Sequence, residues 1–259
     1  MRVVRLGTAA FAVLGLAVTF AAGAGAHDDP TICAGELNGV TVERLVVPRS
    51  QTCTVADVTV NGGVRLRPDA TLQAMNVIVG DSIRVGSGGS LQIGGMTNDI
   101  GGDVIARDAV RVGLARSGLL GSTFEIGGDV VVGGAEEGVG IGGITIRGNL
   151  RIHDSGAENG VGVNLNVIDG SAAIVNNTIV GALRPSDIDV FGNTVGDDLI
   201  VSRNDATFAF EPTFVGANAV LHGDLVCRRN IPEVVNDPPG GPFPNTVVEG
   251  EKVGQCADL

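Results

Sequence analysis

Ile126-Gly127-Gly128-Asp129-Val130 is one copy of a phrase that runs along the chain: an apolar residue, any residue, glycine, a small or acidic residue, an apolar residue. Other copies are Val60-Asn61-Gly62-Gly63-Val64, Ile100-Gly101-Gly102-Asp103-Val104, Ile146-Arg147-Gly148-Asn149-Leu150, Ile168-Asp169-Gly170-Ser171-Ala172 and Leu221-His222-Gly223-Asp224-Leu225. Looser copies centre on Gly80 and Gly196. The glycines at 62, 80, 102, 128, 148, 170, 196 and 223 recur at intervals of 18 to 27 residues, a drifting period that marks a solenoid.

Around each copy lie short alternating segments such as Val58-Thr59-Val60, Val64-Arg65-Leu66, Ile83-Arg84-Val85 and Leu91-Gln92-Ile93, separated by Gly, Asn and Asp. Period-two alternation of β-branched residues predicts strands, and the intervening residues predict turns. Units of this length with two or three strands and no helical stretch fit one coil of a parallel β-helix. Leucine-rich repeats need a Leu/Asn framework that is missing, and propeller blades need about 40 residues or more. The expected fold is all-β: a single-stranded, right-handed parallel β-helix of about eight or nine coils with disulfide-tied ends. The handedness follows from the chirality of parallel crossovers.

Composition agrees. The 259 residues are 44% hydrophobic but only 3% aromatic, with 41 Gly, no Trp and no Tyr, as stacked aliphatic ladders would require. Glycine without a G-X-Y period excludes collagen, and a mean hydropathy of +0.31 excludes polar disorder. With 17 basic against 29 acidic residues the chain lacks the overall charge that dominates nucleic-acid affinity, so nucleic acid is not an expected partner.

Residues 1–26 read as a signal peptide: Arg2 and Arg5, an apolar run from Leu6 to Ala22, then Ala24-Gly25-Ala26 before polar His27. A membrane anchor is the competing interpretation of the same run. Cleavage would leave a secreted or cell-surface protein, more acidic still, with no later stretch able to span a membrane. Residues 27–227 are expected to form the β-helix with its N-terminal cap, and 228–259 a Pro-rich capping segment, looped at first and offering one last strand near Asn245-Thr246-Val247. Cys33, Cys53, Cys227 and Cys256 all survive cleavage; an even count in an oxidising compartment favours two disulfides. Three pairings are possible, and Cys33–Cys53 with Cys227–Cys256 would tie down each end. A solenoid capped in this way is expected to be a monomer, because covered ends offer no template for edge pairing.

The Gly-[Asp/Asn] coils, the early and late cysteines and the ending from Asn245-Thr246-Val247 to Gly254-Gln255-Cys256 resemble exported parallel β-helix proteins of unknown function from high-GC Gram-positive bacteria. The resemblance covers most of the mature chain and implies the fold without an activity. The coils also resemble those of bactofilins, polymer-forming β-helices without signal peptides or cysteine-tied ends, and that likeness bears on the fold alone.

Candidate chemistry is sparse. Asp197-Asp198, followed by His222-Gly223, is similar to the Asp-Asp and Gly-His-Gly motifs of polygalacturonases, where paired carboxylates supply acid and base. Leu221 replaces the first glycine of the His motif, no Asn-Thr-Asp precedes the pair, and Gly196-Asp197 and Gly223-Asp224 are themselves copies of the repeat. Aligning the glycines places Asp81, Asp103, Asp129, Asn149, Ser171, Asp197 and Asp224 in one column. Like charges about 5 Å apart repel unless compensated. Backbone N–H groups at the turns could do this, or Ca²⁺ could bridge Asp81, Asp103, Asp129 and their neighbours. Arg147 and Asp169 could pair across coils. Of the phenylalanines after residue 26, at 124, 191, 208, 210, 214 and 243, those at 208 to 214 cluster in sequence and are expected to form an internal stack or a hydrophobic cover near the C-terminal cap, with an exposed ligand or partner patch as the alternative. Nucleophile elbow, zincin, P-loop and dinucleotide motifs are missing. Three functions remain: a non-catalytic structural or surface-interaction module, favoured here, with a cell-envelope or extracellular glycan or protein as partner; a polysaccharide lyase or hydrolase; and a calcium-dependent adhesin.

Overall fold

The computed structural model describes residues 29–118, 121–180, 187–207, 212–236 and 243–259; the signal-like segment, Phe208 and Phe210 lie outside them. Every described element is a strand, and every strand pairing between coils is parallel. The chain winds as a β-solenoid. Each coil lays one strand on an eleven-stranded sheet and the remainder on a seventeen-stranded sheet, except that Gly156–Ala157 and Thr178–Ile179 pair as a separate two-stranded sheet. The larger sheet bends along its length into two faces, because Thr52–Val60 and Thr71–Val79 run through the bend while later coils break there into pairs such as Val161–Asn164 and Val167–Ile168. The coil is therefore three-sided, with three corners.

Alternation decides what fills it. In the eleven-stranded sheet, register stacks Val64, Ile83, Val104, Val130, Leu150, Ala172, Leu199 and Leu225 in one inward row. All eight are buried. Each large aliphatic side chain removed from water contributes about 1.5–3 kcal/mol, and the row needs no aromatic because its neighbours are copies of itself about 4.8 Å away. Phe124 is the one phenylalanine among the buried hydrophobic residues.

Both ends carry disulfides, Cys33–Cys53 and Cys227–Cys256, with Cα–Cα distances of 5.6 and 5.2 Å. All four cysteines are buried. The C-terminal segment does more than cap: Thr246–Val247 pairs with Ala219–Val220, and Lys252–Gly254 pairs with Leu225–Arg228, so residues 245–254 add a further rung to both sheets. Phe191, Phe214 and Phe243 cluster with ring centroids 5.4–6.5 Å apart. They stand outside the solenoid, since Val190 and Val215 take the inward places beside them.

Candidate functional site

The glycine-containing phrase is the corner leading into the eleven-stranded sheet. A Cβ on Gly127 would lie 2.5 Å from the Gly101 carbonyl oxygen, and one on Gly196 only 1.9 Å from that of Asp169. Glycine is required because the coils touch backbone to backbone there. The residue just before each strand then forms a column. Its members are Ser82, Asp103, Asp129, Asn149, Ser171, Asp198, Asp224 and Glu251, as fixed by strand register.

This differs from the alignment by glycines in two places. Asp81 stands one residue ahead of the column, where Ser82 takes its place, and Asp197 stands one residue ahead of Asp198. The cause is a repeat whose glycine slides by one position between Gly-Gly and Gly-Asp-Asp turns. A related shift moves Leu221: Val220 fills the buried place and Leu221 enters the turn, which carries one extra residue.

The column is a hydrogen-bond ladder. Ser82 Oγ accepts the Asp103 N–H at 3.1 Å, Asp103 Oδ1 that of Asp129 at 2.9 Å, and Asp129 Oδ1 that of Asn149 at 2.7 Å. Asn149 Oδ1 accepts from Ser171 N, Asp198 Oδ1 from Asp224 N at 2.8 Å, and Asp224 Oδ1 from Glu251 N. Each oxygen compensates a backbone donor of the next coil, and Asn149 and Ser171 interrupt the run of charge. The compensation is by backbone N–H across coils. Among the described residues no cluster of three or more His, Cys, Asp or Glu side chains is arranged to hold a metal ion.

Asp198 is thus a rung of the ladder. His222 turns to the following coil, where its Nδ1 lies 3.0 Å from Glu249 Oε2. Among the described residues no hydrogen bond or ion pair joins His222 to Asp197 or Asp198. Arg147 does bridge coils, at 3.2 Å to Asp169 and 2.8 Å to Glu125. Its hydrogen bond holds the Glu125 carboxyl below the usual range. Asp154 is likewise lowered, by His153 Nδ1 at 2.7 Å and then by Asn176.

The other two corners hold something the repeat phrase does not announce. At the bend in the large sheet, Asn166, Asn193, Asn218 and Asn245 stack in the interior, each at most 3% exposed. The Oδ1 of each rung accepts both the N–H and the Nδ2–H of the preceding one, as in Asn193 to Asn166 at 3.0 and 2.9 Å. The Nδ2 of each also donates to a strand carbonyl, such as Asn193 to Val163 at 2.7 Å. Asn177, Asn204 and Asn230 repeat the arrangement at the corner leaving the eleven-stranded sheet, ending on Gln255. The sequence signal was present: asparagines 25 to 27 residues apart, one coil each.

At the C-terminal end an open hollow of about 580 Å³ is lined by Arg228, Arg229, Glu233, Gln255 and Asp258. No helix among the described residues is long and apolar enough to cross a membrane. Compared with protein-family models, curated proteins and solved structures, the chain has no significant match to any of the three.

Proposed function

We propose that this chain is an exported, disulfide-tied rod that serves as a structural or surface-interaction module without catalysis. One observation carries the proposal: of the residues best placed by sequence for glycan cleavage, Asp198 is engaged in building the corner and His222 is turned away from the aspartate pair. Asp198 Oδ1 holds the next coil's N–H, and His222 faces Glu249 rather than the aspartate pair. A general acid and base must flank one bond, whereas these side chains follow the periodicity of the coil. The two disulfides support an oxidising, extracellular setting.

Depolymerisation tests this. Purified protein, with and without Ca²⁺, is incubated with acidic and neutral polysaccharides beside an Asp197→Asn/Asp198→Asn variant, and reducing ends and unsaturated products are scored. The expected result is no release from any polymer by folded protein. Release that disappears in the variant would make Asp197 and Asp198 catalysts and overturn the proposal.

A further inference from the structure

The outer surface of the eleven-stranded sheet has a charge opposite to that of the chain as a whole. Its outward places form two rows fixed by register. One row carries Arg65, Arg84 and Arg151. The other carries Arg107 and Arg228 within strands, and Arg67 one residue past Val64–Leu66. The remaining outward places within the strands are apolar, glycine, Ser202 or His153, with no carboxylate in either row. All six arginines are exposed, and none has an ion pair within 4.0 Å among the described residues. By contrast Arg49, Arg111 and Arg147, off this face, are paired with Asp69, Glu137, and Glu125 with Asp169. The outward rows of the large sheet hold Glu36, Asp99, Glu125 and Asp189, with Arg111 the one basic residue in its described strands.

We propose that this arginine face binds a linear acidic polysaccharide laid along the rod axis. The inference deepens the interaction-module proposal and rests on it. Three features favour that occupant. The Cα positions of the arginines in a row lie whole multiples of about 4.8 Å apart, so their side chains can meet charges that recur regularly along a chain. Each is a planar fork that pairs bidentately with a carboxylate or sulfate. Between them Ile105, Val131, Ile200 and Val226 are half-buried, so the middle of the face is flat; Ile32, at the N-terminal end of the same row, is its one exposed large apolar side chain, far less than a bilayer-binding face presents. Single-stranded nucleic acid is less well served, since no Phe, Tyr or Trp stands in either row for bases to stack on and His153 is the one ring there.

The test uses the intact protein on immobilised polygalacturonate, with dextran, duplex DNA and phosphatidylglycerol vesicles alongside. Two variants are compared after urea unfolding shows both to be folded: Arg65→Gln/Arg84→Gln/Arg151→Gln on the face, and Arg111→Gln/Arg147→Gln off it. The expected result is salt-sensitive retention on polygalacturonate, weakened about tenfold or more by the triple substitution and less than about twofold by the control. Equal loss in both variants would overturn the inference, as would preference for DNA or vesicles. Binding to dextran but not to polygalacturonate would overturn it too, leaving the module proposal intact. Cleavage of polygalacturonate would instead remove the module proposal, and the two variants would still decide whether the face holds the polymer.

Discussion

Asp129 and Asn193 do the same task at different corners of the coil. Each offers a side-chain oxygen to the backbone N–H of an adjacent coil, Asp129 to Asn149 at 2.7 Å and Asn193 to Asn166 at 3.0 Å. Asp129 is half-buried at a corner open to water, and Asn193 is 1% exposed. A carboxylate only accepts hydrogen bonds, so it depends on water for its second oxygen and cannot follow another of its kind indoors without a large desolvation cost. An amide both donates and accepts. Asn193 therefore closes its own account, giving Nδ2–H to Asn218 Oδ1 and to the Val163 carbonyl. The outer ladder can consequently vary among Ser, Asp, Asn and Glu, while the inner ones hold to asparagine over three or four coils.

Replacing an inner rung should have the largest effect on this contrast. Asn204→Leu removes the acceptor for Asn177 N–H and the donor to the Ile174 carbonyl, stranding buried backbone groups. An expected loss of about 2–4 kcal/mol would appear as a lower urea midpoint. Gly196→Ala comes next, because its Cβ would meet the Asp169 carbonyl oxygen and force the coils apart. A cost of about 1–3 kcal/mol is expected by the same measurement. Asp129→Ala should cost only about 1 kcal/mol, since water reaches the N–H it abandons.

The smallest effect is that of acid on the exposed carboxylates. Glu125, bonded to Arg147, and Asp154, bonded to His153 and Asn176, have folded pKa values below their ordinary ones. Their contribution is present above the usual carboxylate range and is lost as pH falls through the folded values. Both are solvent-screened, so Tm should fall only slightly below about pH 4, and less so in high salt.

The fold was legible because its repeat is punctuated by glycines that close backbone contact makes obligatory, and strand segments such as Ile83-Arg84-Val85 alternate cleanly. Column membership was less legible. Gly80 and Gly196 lie two places before their ladder residues where Gly102 and Gly128 lie one, so counting from glycine selects Asp81 and Asp197 in place of Ser82 and Asp198. The inner ladders are less legible in the sequence for a different reason. Asn177-Thr178, Asn193-Thr194 and Asn245-Thr246 are alike in sequence, yet Asn177 belongs to one corner and Asn193 and Asn245 to another. Both corners present asparagine before a short β-branched strand, and only register separates them. The arginine face was hidden similarly: its members are scattered in sequence and are brought into rows by coil lengths that vary from one turn to the next.

A reciprocal exchange, Asn193→Asp against Asp129→Asn, tests most directly whether burial divides the two kinds of corner. Urea unfolding at neutral pH should show Asn193→Asp destabilised by about 2 kcal/mol or more, with Asp129→Asn within about 1 kcal/mol of the native chain. Burial would raise the folded pKa of the new carboxyl, so the deficit of Asn193→Asp should shrink as pH falls and the group becomes neutral. Equal, pH-independent effects at the two positions would contradict the account.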